Sequence, residues 1–286
     1  MLTVIHGTSF DPNSAEPMTL DVSLLATYLI RFLQEEVIQR RKMQKVVLGI
    51  SGGLDSAVVA CLCAKAFGPS NVYGFRMPYK ISSPESLDHA RLVTDSLGIH
   101  EQTIDITAMV DGYAAAYESG ISPGRLGNLC ARCRAVILFD QSAEVGGLPV
   151  GTGNKTERLF GYFTWHADDS PPINPLGDLL KTQVFELARY MGVPDVIVNK
   201  PPTADLIKGQ TDEGDFGITF ADADRILQYV VLGYPKQRLI KLGFDPAKVE
   251  LVWKKVASTH WKRELPTVAV VSTSAIGEFY LRPVDY

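Results

Sequence analysis

The sequence predicts an α/β fold: a parallel sheet with helices on both faces and a small helical part toward the C-terminus. Short β-branched runs alternate with helix-patterned segments in the first half of the chain. A glycine turn joins the first of these runs directly to a helix, and helix-patterned segments run from Ala221 to Ser258. A chain of 286 residues with 46% hydrophobic content buries a full core, so a scaffold dependent on disulfides is excluded.

Residues 1–18 read as an N-terminal extension rich in turn formers. Leu20, Leu24, Leu25, Tyr28, Leu29, Phe32 and Leu33 then recur at helical spacing, with Thr19 as the expected cap. Lys45 to Ile50 is a short apolar run that reads as a buried strand, followed by SGGLDS and the helical AVVACLCAKAF. A second strand is expected over Asn71 to Met77, a helix from Pro84 to Leu97, and a third strand from His100 to Ile104. A helix from Leu126 to Val145 leads through a Gly-Gly turn into LPVGT, the expected fourth strand. Residues 161–175 and 200–217 carry proline, glycine and acids without hydrophobic period and read as loops of the length used for lids. Helices are expected over 221–231, 236–242 and 246–258. Residues 19–266 are therefore read as a single domain and 267–286 as a tail.

The net charge of −4 and a pI near 5.8 give no global electrostatic basis for binding nucleic acid or an anionic membrane. No apolar stretch reaches the ~18 residues of a membrane span, and no secretory leader is evident, so a cytoplasmic protein is expected. Cys61, Cys63, Cys130 and Cys133 lie in apolar, helix-patterned surroundings where free cysteine is an ordinary small hydrophobe.

The segment Ser51, Gly52, Gly53, Leu54, Asp55, Ser56 sits between a buried strand and a helix. Adjacent glycines let an anion approach the backbone, and the helix N-terminus behind them directs free N–H groups at it. Ser51 and Ser56 add hydroxyls. Asp55 would repel a bare phosphate, so its presence favours a bridging Mg²⁺ that accepts carboxylate and phosphate oxygens together. The spacing is neither a Walker A loop nor GxGxxG.

SGGxDS after a strand resembles the PP-loop of ATP pyrophosphatases, which cleave ATP between its α- and β-phosphates. GNLCARCR (Gly127 to Arg134), GTGNKTE (Gly151 to Glu157), NPLGDLLKTQVFELARYMGVP (Asn174 to Pro194), PPTADL, DEGDFGITF and KRELP follow in order. Together they are similar to the motifs of the NAD synthetase family in its glutaminase-free form. That resemblance implies a Rossmann-like, adenine nucleotide alpha hydrolase-like fold. It also implies that Gly49, Ser51, Gly52, Gly53, Asp55, Ser56, Thr152, Lys181 and Thr203 contact ATP. By the same resemblance Asp55 and Glu157 bind Mg²⁺, Asp55 and Lys181 serve catalysis, and Arg132 and Lys262 contact the dinucleotide. The implied reaction amidates deamido-NAD with ammonia through an acyl-adenylate, and the implied assembly is a homodimer. The segment before the first strand is too short for a glutaminase domain, leaving free ammonia or a separate glutaminase subunit as donor.

Three positions depart from the familiar family pattern: Trp165 replaces a lysine, Pro172 an aspartate and Trp261 a histidine. All three belong by resemblance to the acceptor half, where the rings of Trp165 and Trp261 offer stacking surfaces. Amidation of a different carboxylate therefore stays open. A tRNA sulfur-transfer enzyme using Cys130 and Cys133 also shares the loop, but an acidic chain lacks the basic footprint for RNA. A nucleotide sensor would have no need of Asp55, Glu157 and Lys181 together.

Overall fold

The computed structural model describes residues 11–14, 18–117, 120–203, 211–264, 267–269 and 271. Most of the expected extension and tail lies outside them, as do residues 204–210 of the expected second loop and the last two residues of KRELP. Strands β1 (Lys45–Gly49), β2 (Val72–Arg76), β3 (His100–Thr103) and β4 (Gly147–Pro149) form a parallel sheet in the order β3-β2-β1-β4. The fourth strand is shorter than LPVGT. Beyond Pro149 the chain keeps one parallel bridge, between Val150 and Ile173, before it turns into the site.

Successive residues of β1 point to opposite faces, and each face meets its own helices. Val46, Leu48 and Ile50 join a core built from α1 (Val22–Gln34), α2 (Leu54–Phe67), α3 (Pro84–Leu97), α7 (Lys181–Met191) and α8 (Asp195–Val198). Val47 faces the other way, toward Phe75, Met77 and the helices α4 (Thr107–Tyr117) and α5 (Pro123–Val145). This explains why β1 is apolar throughout rather than alternating. A third core joins α6 (Lys155–Phe160) to α9 (Asp212–Phe216), α10 (Phe220–Val231), α11 (Lys236–Lys241) and α12 (Pro246–Thr259), and forms the expected helical part.

Several elements differ locally from the pattern read in the sequence. Asp21, not Thr19, caps α1, because its carboxylate accepts the Leu24 N–H at 3.0 Å. The buried stripe of this helix is Ala26, Leu29, Leu33 and, through a π-helical turn over Glu35–Arg40, Val37. Leu24 and Tyr28 stay exposed. The expected loop at 200–217 contains α9, started by the Thr211 hydroxyl accepting from Gly214 N. The four cysteines are free and buried, one pair on each face of the sheet, so the pairs do not combine into a metal site. Among the described residues no helix is long and apolar enough to cross a membrane.

Candidate active site

The C-terminal ends of β1 and β4 open onto two adjoining hollows, of about 250 and 580 Å³. They share a wall made of Ser51, Ala131, Arg134, Gly151, Thr152, Asp168 and Pro171. The smaller hollow is backed by Phe75, Met77 and Leu138, which suits a flat base. The larger contains the carboxylates, Lys181 and Thr203.

Between β1 and α2 the chain turns through the double glycine. Gly52 takes φ +79°, and a Cβ there would sit 2.0 Å from the Ser86 carbonyl oxygen, so only glycine fits between the turn and the start of α3. Gly53 has an ordinary φ of −92° and serves as the N-cap of α2 without a capping side chain, leaving helix N–H groups open to the hollow. The two serine hydroxyls shape the turn. Ser56 Oγ donates to Gly53 O and lies 3.1 Å from Ser51 Oγ, which accepts from Gly53 N. Gly49 belongs to the floor, with Met77 Cε 3.3 Å from where its Cβ would stand.

Lys181, only 1% exposed, brings its ammonium between two carboxylates: it donates to Asp55 Oδ2 and stands 3.5 Å from Glu157 Oε1. Burial works against this charge, but Asp55 and Glu157 together outweigh it and hold the Lys181 pKa above its ordinary value. For Glu157, burial first and the Asp55 charge second push the pKa up to about 8, against the pull of Lys181. Glu157 in the ligand-free site is therefore protonated more readily than a free carboxyl. Two oxygen-bearing side chains meeting at one point, short of a full ligand set, fit a Mg²⁺ ion that completes its shell with phosphate oxygens. Among the described residues no cluster of three or more metal-ligating groups forms.

Asn154 is a residue that the motif reading did not single out. It caps α6 by accepting from Glu157 N, its own N–H donates to Glu157 Oε2, and its Nδ2 donates to Asp55 Oδ1 at 3.0 Å. The Asn-x-x-Glu spacing is a capping-box signal in the sequence, but the link to Asp55 spans 99 positions and leaves no local trace. Tyr162, Asp168 and Asp212 also line the larger hollow, and the Tyr162 hydroxyl donates to Asp212 and Asp215. Arg134 lines both hollows and donates to the Met77 carbonyl.

The residues expected on the acceptor side sit differently. Lys262 reaches the larger hollow, but its ammonium donates to the carbonyls of Gly161 and Phe163, each at 2.7 Å. Arg132 donates to the Trp165 carbonyl at 3.2 Å. Trp165 and Trp261 pack edge to face with each other, ring centres 5.2 Å apart, at the rim and outside the lining of both hollows. Pro172 immediately follows the shared wall. These side chains hold the 161–169 loop between α5 and the turn His260–Arg263 that follows α12.

The NAD synthase family model matches residues 25–266. The chain belongs to the NAD synthase family. It is 43% identical over 260 residues to an NH(3)-dependent NAD(+) synthetase of Trichlorobacter lovleyi, covering 91% of this chain and 94% of the relative. Identity to an enzyme of the same name from Chlorobaculum parvum is 41% over 266 residues, 92% of this chain and 94% of that one. Among solved structures, an NMN synthetase of Francisella tularensis superposes with a TM-score of 0.78 at 28% identity, over 88% of this chain and 99% of that one. The NH3-dependent NAD synthetase of Campylobacter jejuni gives 0.75 at 28% identity, over 88% and 100%. The parallel-sheet architecture and its family thus agree with the motif order read from the sequence.

Proposed function

We propose that this chain is an NH3-dependent NAD⁺ synthetase, a ligase that amidates deamido-NAD (nicotinic acid adenine dinucleotide) at the expense of ATP. The observation that carries this reading is the convergence of Asp55, Glu157 and Lys181 beside the PP-loop, where two substrate-sized hollows share a wall. The acceptor carboxylate attacks the α-phosphorus of ATP, the bond to the β-phosphate breaks, and pyrophosphate leaves. Ammonia then adds to the acyl carbon of the adenylate, and AMP departs as the amide forms and a proton is lost.

In this reading the backbone of Gly49 to Ser56, with Thr152 and Thr203, binds ATP. The Lys181 ammonium faces the oxygens on which negative charge builds as pyrophosphate leaves, which is electrostatic catalysis by a preorganised donor. Asp55 and Glu157 would hold Mg²⁺, which when bound would neutralise phosphate charge. Arg132 and Lys262 act through the carbonyls of the 161–169 loop, and Trp165 and Trp261 form the outer edge of the acceptor side. Ammonia arrives free or from a separate glutaminase in the cytoplasm. The assembly expected from the family is a homodimer.

The test is AMP release from ATP, Mg²⁺ and ammonium with and without nicotinic acid adenine dinucleotide, with NAD identified by mass. Acceptor-dependent AMP together with NAD is the expected result; a folded, ATP-binding chain that releases no such AMP rejects the reading. A second reading, amidation of the mononucleotide, is favoured by the fold similarity to an NMN synthetase and by the tryptophan pair at the acceptor rim. Running nicotinic acid mononucleotide in the same assay separates the two by kcat/KM.

A further inference from the structure

Lys181 opens α7 and Glu157 lies on α6, so their convergence needs a device that fixes one helix against the other. The residue before Lys181 is Leu180, whose side chain has no acceptor, so the first amides of α7 must be satisfied from elsewhere. Thr156 Oγ1 accepts from Lys181 N at 3.0 Å. Asp224, on α10 and fully buried, accepts with Oδ2 from Thr182 N at 2.8 Å and Thr182 Oγ1 at 2.9 Å. Its Oδ1 accepts from Thr156 Oγ1 at 2.6 Å.

One carboxylate therefore caps α7 from another helix and grips the residue next to Glu157. The charge has a reason as well. The positive end of the α7 dipole lies at the backbone of Lys181, and a buried negative group at that end is favourable. A buried carboxylate is tolerated only when its oxygens are bonded, and Asp224 receives three donors. Every one of those donors belongs to a residue adjacent to Glu157 or Lys181.

We propose that Asp224 is a positioning residue, which through Thr156 and Thr182 sets how closely Lys181 approaches Asp55 and Glu157; the assignment rests on the function proposed for that site. Asp224→Asn keeps the shape but removes the charge and turns an amino group toward one of the three donors. Expected in the full-length chain is a rise of about tenfold or more in KM for ATP, with a matching rise in the calorimetric Kd for ATP with Mg²⁺, the scale on which groups behind a ligand shell act. A smaller folded fraction lowers kcat alone and leaves both constants in place, so unchanged KM and Kd in folded Asp224→Asn overturn the proposal. Should that variant not fold, Thr156→Val and Thr156→Ser decide. The valine raises both constants and the serine restores them; equal values for the two overturn the proposal. A wild-type chain that shows no acceptor-dependent AMP release would remove the proposed reaction, while the ATP-affinity series still decides the positioning role.

Discussion

The half of the site proposed to bind ATP and the half proposed to bind the acceptor are built on opposite plans. Around Asp55, Glu157 and Lys181 every charged group is engaged with a named partner: Lys181 by two carboxylates, Asp55 by Asn154, and Glu157 by a helix cap. The scaffold there is helix termini and buried hydroxyls. On the acceptor side, Lys262 and Arg132 donate to backbone carbonyls, and two tryptophans meet at a rim where Trp261 is about half exposed. A reaction centre whose charges must not wander is braced by side-chain partners. A specificity surface is a loop clamped by its backbone, whose outward side chains are free to be exchanged. Of the three departures, Trp165 lies on that loop, Trp261 on the turn that clamps it and Pro172 just beyond it.

The sharpest break in this contrast is Lys181→Ala, which should lower kcat/KM for AMP release by roughly 10²–10³, the usual cost of losing one preorganised donor. A loss under tenfold would mean that the brace is structural only. Gly52→Ala should come next. It puts a methyl group 2.0 Å from the Ser86 carbonyl oxygen in a left-handed backbone. A destabilisation of roughly 1–3 kcal/mol is expected, read as a lowered Tm; an unchanged Tm would show that the turn and α3 can separate at little cost.

Glu157 gives a pH signature. Its folded pKa of about 8 lies above the ordinary 4.5, so between those values the folded, ligand-free chain binds a proton that the unfolded chain has released. Its contribution to stability therefore falls as pH rises through that window. Glu157→Gln should flatten the decline in Tm from pH 5 to pH 8, and parallel curves for the two proteins would count against the assignment. The smallest effect belongs to the rim. Trp261→Ala should raise KM for the acceptor about two- to tenfold, as for loss of one aromatic pair, and leave KM for ATP unchanged. An equal change in both would erase the distinction between the two halves.

The β1 to α2 unit was legible because a strand buried on both faces, a double glycine and a helix are each local patterns, and they occur in one run. Helix α3, read as running from about Pro84 to Leu97, has those bounds, with Pro at its start and Gly98 after its end. Helix α4 was not, since its Gly112 and small residues give no strong apolar stripe, and α9 was hidden by glycine and acids that also suit a loop. Within the site, the motifs pointed to the PP-loop residues, Glu157 and Lys181. The partners that place them did not show, because Asn154 reaches Asp55 and Asp224 reaches Thr156 across 99 and 68 positions. The hydrogen bonds of Lys262 to the carbonyls of Gly161 and Phe163 were equally invisible, since a lysine in a motif looks the same whether or not it meets a backbone oxygen.

The wall shared by the two hollows bears on how long an intermediate survives. In the proposed reaction, an adenylate joined to its acceptor would lie across Ser51, Thr152 and Asp168, which line both hollows, and would occupy both spaces at once. It is a bivalent ligand: while one end is seated, the other faces its own site at a high effective concentration and rebinds before it can diffuse away. Cleavage by ammonia severs the tether and makes two monovalent products. On the proposed reaction, retention of the costly species and release of the spent ones would thus come from the same partition.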